Sequence, residues 1–167
     1  MTWRSGTDEI SDKLLGSLPY LLPLFDAVTV GGALFKLIAN FPVLAPVGEV
    51  LLILATPVMV AYSLLPFGLG SLAVFIALYL LVVRYDNFSR FIRFNTLHAI
   101  LIGFIISIGR LVLSLLTVPG LDLITDTFYN VLLFGGVAGV GYAVVQCLMG
   151  RYSEIPTISE AVHMQIR

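Results

Sequence analysis

The chain has 167 residues, of which 59% are hydrophobic and only 11% charged, and its mean hydropathy is +1.02; ordinary soluble domains run at about 45–50% apolar and 25% charged. That length accommodates one unit and no second soluble domain, and a formal net charge of −1 without any basic stripe excludes a nucleic-acid partner. Residues 50–83 and 127–150 carry no charged side chain at all, which only a lipid solvent makes ordinary, because a helix rises about 1.5 Å per residue across roughly 30 Å of hydrocarbon.

In lipid the backbone must hydrogen-bond within the protein, so spanning segments are helices or a closed barrel. A barrel needs strands of alternating polarity, and residues 72–83 show none. The expected fold class is all-α: a single polytopic membrane bundle over residues 1–167, with four transmembrane helices, a re-entrant or interfacial helix and a short amphipathic C-terminal helix.

Residues 1–13 are polar, holding Asp8, Glu9 and Asp12 beside Arg4 and Lys13. They match neither a secretory signal nor a transit peptide, so the first apolar segment is expected to act as an uncleaved insertion signal. Five apolar segments follow, at 14–35, 46–66, 70–83, 94–117 and 128–149. The second is ambiguous, because Pro42, Pro46, Pro57 and Pro66 flank or interrupt it and Glu49 lies near its start. Loop charge arbitrates. If 46–66 does not cross, Arg4, Lys13, Arg84, Arg90, Arg93, Arg151 and Arg167 share one side and only Lys36 lies opposite. If it crosses, the N-terminus parts from the Arg-rich loop and the tail. The four-span arrangement gives the cleaner asymmetry, with both termini and the 150–167 tail on the cytoplasmic or stromal side; a five-span bundle is the alternative. A re-entrant 46–66 needs protein or a water-filled cavity to cover its bend, which makes Glu49 a candidate path-lining residue.

Two ionisable side chains fall inside predicted spans, Asp26 and Arg110. Charges at that depth face the bundle interior and find partners. Both lie roughly 10–14 Å from the same end of their spans, which allows an intramembrane pair; the alternatives are a snorkelling Arg110 with Asp26 serving the backbone freed by Pro19 and Pro23, or Glu49 as the partner of Arg110. Small residues recur every four positions at Gly135, Gly139 and Ala143 and at Ala99, Gly103 and Ser107. These stripes predict close packing of the last two spans, with homodimerisation or a pore-lining glycine face as alternatives.

The central loop alternates aromatics and arginines, and Arg90, Phe91, Arg93 and Phe94 suit a helical turn anchored in the headgroup layer. His98 follows, with no second ligand at helical spacing to make a metal site. Cys147 reads as a buried, inert thiol. In the tail, Thr157 and Glu160 form a capping box, and Ile158, Val162 and Ile166 share one face of a short helix expected on the membrane surface. No nucleophile–base pair, phosphate loop or metal motif argues for catalysis or a cofactor.

Three stretches, 18–26 (LPYLLPLFD), 89–100 (SRFIRFNTLHAI) and 154–165 (EIPTISEAVHMQ), resemble in order the twenty-kilodalton membrane subunit of the translocon at the inner chloroplast envelope and its cyanobacterial and plastid-encoded relatives. The resemblance implies four transmembrane helices with both termini stromal or cytoplasmic. It further implies a channel role in moving precursor polypeptides, beside other translocon subunits. His98 departs from a frequent Gln, and no transit peptide precedes the first span, so a cyanobacterial or plastid-genome origin is expected. In a cyanobacterium the import role does not transfer directly. From the residues themselves, a small-solute channel or transporter and a purely structural membrane subunit remain the rival functions; oligomerisation is open.

Overall fold

A computed structural model describes residues 9–32, 41, 43, 45–66, 69–116, 122–155 and 158–166; Arg4, Lys36, Thr157 and Arg167, used above for charge and capping, lie outside them. Helix α1 (Ile10–Ser17) passes through a 3-10 turn (Leu18–Tyr20) into α2 (Leu21–Val30), and the three form one apolar run long enough to cross a membrane. The turn sits where Pro19 withholds an N–H, so the tighter i+3 pattern replaces the α ladder locally.

Helix α3 (Ala45–Ser63) is continuous through Pro57. A turn then leads to α4 (Leu69–Leu78), extended by a π-helical segment, Tyr79–Val83, that closes with Arg84 N–H on the Tyr79 carbonyl. Gly70 is required there, because a Cβ at that position would collide with the backbone of Tyr62. Ser89 caps α5 (Arg90–Leu115), its Oγ accepting from Ile92 N–H at 3.3 Å. Helix α6 (Asp122–Leu148) ends in a Schellman turn: Arg151 N–H bonds Gln146 O, Gly150 N–H bonds Cys147 O, and Gly150 takes φ 74°. Helix α7 (Ile158–Gln165) completes the described chain.

Contacts fix how these helices run. Gly16 faces Phe91 and Asn95 at the start of α5 and Cys147 at the end of α6, so these points share one end of the bundle, the near end. Gly31 abuts Leu133 in the first half of α6, towards the opposite, far end. Helices α2 and α5 therefore run in one sense and α6 returns. Ser71 of α4 shares a cavity with Asp26 and Arg110, whereas Leu78 and Val82 share another with Phe88 and Ile92, so α4 with its π segment runs from far to near. The Tyr62 ring meets Phe25 edge-on with centroids 5.3 Å apart. The chain thus stands towards the far end at Gly31 and again at Tyr62.

Among the described residues four helices have the length and apolarity to cross a membrane: Ile10–Val30, Ala45–Ser63, Arg90–Leu115 and Asp122–Leu148; Leu69–Val83 is shorter. The ranking differs from the sequence expectation, which set 46–66 apart and gave 70–83 a full span. One proline in an apolar helix does not break it when the freed backbone group is re-satisfied locally. One core cluster gathers Tyr20, Leu24, Ala27 and Val28 with Ala99, Ile106, Val140 and Ala143, and a second gathers Val83, Phe94, Leu97 and Ile100 with Val162 and Ile166.

Two expectations about packing are corrected. Among the described residues Gly135 and Gly139 have no neighbour within 4 Å of where a Cβ would stand, whereas Gly136 lies so close that its Cβ would be 2.7 Å from that of Ala27. The buried stripe of α6 is accordingly Leu133, Gly136, Val140, Ala143 and Cys147, of which only Ala143 was foreseen as a packing residue. Phe91 and Phe94 are buried core residues, not headgroup anchors. Their arginine neighbours hold the protein to itself: Arg93 donates to Val83 O at 2.9 Å and to Asp86 at 2.8 Å, and Arg90 donates to Ile166 O at 3.2 Å. In α7, expected as a short amphipathic helix, Val162 of the apolar stripe is buried against α5, as is Ile166 just past its end.

Candidate functional site: a polar cavity in the bundle

Ser107, Arg110, Leu111 and Ser114 recur at three- and four-residue spacing, so α5 presents them on one face. Across from them α2 contributes Phe25, Asp26 and Thr29, α3 contributes Tyr62 and α4 contributes Ser71. Together these line a cavity of about 730 Å³. A second cavity of about 250 Å³ shares Asp26, Tyr62, Ser71 and Ser107 and extends along Ala99 and Gly103. The Ala99–Gly103–Ser107 stripe thus faces α2 and the cavities: Pro23 and Asp26 lie 4.0 and 3.4 Å from a Cβ on Gly103.

The structure brings Asp26 and Arg110 to one cavity without an ion pair between them; among the described residues Arg93 and Asp86 form a salt bridge at the near end. Glu49 is exposed on α3 and lines neither cavity. Thr29 and Ser114 turn their hydroxyls onto the carbonyls of Asp26 and Leu111. The cavity is therefore a region lined by polar side chains between apolar helices, able to hold water or a polar chain at the depth of the second half of α2. Among the described residues no group of His, Cys, Asp or Glu is placed to hold a metal ion.

A second polar cluster, missed in the sequence, ties the near end together. Tyr20 Oη donates to Asn95 Oδ1 at 2.9 Å and also meets His98 Nδ1 at 2.9 Å and Ser153 Oγ at 3.2 Å; Ser153 Oγ lies 3.0 Å from His98 Nδ1. Asn95 Nδ2 donates to Phe91 O, which fixes its amide. All four residues are fully or almost fully buried. His98 is thus a core residue of the bundle. Ser159 extends the cluster by donating to Ser153 O at 2.9 Å, and Tyr152 packs on Phe91, Phe94 and His163. Burial raises the Tyr152 pKa above the usual phenol value, so it stays neutral. The signal lay in the quoted stretches: Tyr20 stands in the first and Asn95 and His98 in the second, while Ser153 immediately precedes the third.

An all-helical bundle with crossing-length apolar helices around a polar cavity defines a multi-pass α-helical membrane protein. Residues 9–162 match the family described as chloroplast import apparatus, Tic20-like. The chain is 38% identical to a "Tic20 family protein" of Synechocystis sp. over 98% of both chains. It is 29% identical to "Protein TIC 20-v, chloroplastic" of Arabidopsis thaliana, over 96% of this chain and 75% of that one, and 28% identical to "Tic20 family protein Ycf60" of Porphyra purpurea, over 94% and 76%. The chain belongs to the Tic20 family.

Proposed function

We propose that this chain is a non-enzymatic subunit of a protein-translocation path in a plastid inner envelope or cyanobacterial membrane, and that its polar cavity borders the moving polypeptide. The observation that carries the reading is the cavity of about 730 Å³ lined by Asp26, Tyr62, Ser71, Ser107 and Arg110 between apolar helices. A translocating chain carries unpaired amides and mixed side chains, so its path needs scattered hydrogen-bond donors and acceptors without a tight specific site. Hydroxyls from separate helices and two opposite charges not locked to each other fit that need. Family membership supports the same role, with other translocon subunits and precursor polypeptides as partners.

In this reading 10–30, 69–83, 90–115 and 122–148 cross, 45–63 is re-entrant and adds no net crossing, and both termini face the cytoplasm or stroma. A photo-crosslinking residue at Tyr62 should capture a precursor stalled in transit, while one at Phe134, on the exposed face of α6, should capture lipid or neighbouring subunits. Capture of the precursor from Phe134 and not from Tyr62 would reject the cavity as the path. Capture of resident subunits alone from both positions would favour a structural subunit.

A further inference from the structure

The apolar helices of this bundle differ in length. The uncharged residues 127–150, most of α6, rise about 36 Å, whereas α4 and its π segment, ten and five residues long, rise about 22 Å at most. Contacts show at which end the difference falls. The Phe75 ring meets Phe104 with centroids 4.9 Å apart and Ser71 shares the cavity with Ser107, so Leu69, at the far end of α4, stands at the level of Gly109 and Arg110. A Cβ on Gly109 would lie 2.9 Å from the Leu132 side chain. From that level α5 continues about 9 Å to Leu115 and α6 about 15 Å to Asp122. The α3–α4 turn thus stops about 9 Å short of the α5 end, and Gly70, packed on the Tyr62 backbone, fixes it there.

A helix longer than the roughly 30 Å hydrocarbon layer tilts, but a shorter one draws the bilayer in, snorkels flanking basic side chains or takes a partner. Residues 63–70 contain no Lys or Arg to snorkel. Nor does an irregular turn lie in hydrocarbon exposed to lipid, and Leu64, Leu65 and Leu69 of this turn are exposed. Beside it, at the same level, the cavity gathers Asp26, Ser107 and Arg110; charged side chains there favour water over an apolar covering helix. We infer that this chain thins the bilayer: over the α3–α4 turn the far headgroup layer dips by about 8 Å, the exposed leucines sit at its hydrocarbon edge, and the cavity opens to the far aqueous phase. The inference rests on the reading of 69–83 as a crossing, and does not require that a polypeptide pass.

The test places single nitroxide labels at Leu69→Cys and Ile108→Cys, both exposed, in the full chain with Cys147→Ala, reconstituted in dioleoyl phosphatidylcholine vesicles. Depth is read from collisions with oxygen and with a water-soluble nickel chelate. The two positions stand within about 3 Å of one level in the bundle, yet the Ile108 label should read about 10 Å deeper than the Leu69 label, because α5 runs seven residues further to its own boundary. The gap should shrink in short-chain dimyristoleoyl lipid and persist in long-chain dierucoyl lipid. If Leu69→Cys does not fold, Leu65→Cys reports the same turn. Matching depths in every lipid, or a Leu69 label shielded from both collision agents by covering protein, would overturn the inference. Impermeant maleimide on Leu64→Cys and Tyr85→Cys separates the two possible failures: reaction from the same side removes the crossing and the thinning with it, whereas reaction from opposite sides with matching label depths removes the thinning alone.

Discussion

Tyr20 has one hydroxyl hydrogen and gives it to Asn95 Oδ1, since the Asn95 amide nitrogen is already committed to Phe91 O. Ser153 and His98 then share the remaining bond between them, and the tail is tied to the first and third long apolar helices through a site with no access to water. Tyr20→Phe strips Asn95 Oδ1 of its donor inside the bundle and should cost about 1–3 kcal/mol, the usual penalty for a buried group left unpaired. Denaturant unfolding in detergent micelles, followed by circular dichroism, measures it. Ser153→Ala should cost less, because Tyr20 still donates to Asn95 and the Ser153 carbonyl remains held by Ser159. At this scale the sequence was partly legible. Asp26 and Arg110 were recognisable from charge inside apolar runs, and both line the cavity. Tyr20, Asn95 and Ser153 were not, because their partners lie far apart in the chain and no periodicity connects them; only their place in or beside the three quoted stretches set them apart.

Helix α6 shows why a stripe of small residues does not by itself say which face packs. Gly135 and Gly139 share a four-residue spacing, and so do Gly136 and Val140; the partner decides, and Ala27 of α2 stands over Gly136. Gly136→Leu should force α2 and α6 apart and destabilise by about 1–3 kcal/mol or more, whereas Gly139→Ala, with open space around it, should lose nothing. Unfolding of both variants in the same micelles separates the two; a loss at Gly139 equal to that at Gly136 would contradict the packing described. The proline pattern misled in the same way. Four prolines in and around 46–66 read as an interruption, yet α3 runs through Pro57 as a single helix, because apolar surroundings favour keeping every other backbone hydrogen bond. The tail helix was legible as amphipathic, but what its apolar face packs on was not: Val83, Phe94 and Leu97 cover it.

For the whole molecule, composition alone established an all-helical membrane bundle, since no soluble or barrel fold tolerates such uncharged runs. The relative direction of the helices needed contacts: Gly16 beside Phe91 and Cys147, and Tyr62 beside Phe25. They place the first described residues and the tail at the same end. Single cysteines at Ser11 and Glu160, in a Cys147→Ala background, should therefore react with an impermeant maleimide from one side of sealed vesicles and a cysteine at Asp122 from the other; opposite-side labelling of 11 and 160 would require an odd number of crossings. The most direct test of the path itself is the accessibility of Ser107→Cys, which shares the cavity with Asp26 and Arg110. It should be labelled by a small charged thiol reagent in resting membranes and protected, at least severalfold, when a precursor is stalled in transit, while a cysteine at Leu123 on the exposed start of α6 stays unchanged. A Ser107 cysteine that never reacts, or that reacts equally with and without the stalled precursor, would contradict a polypeptide path along this cavity.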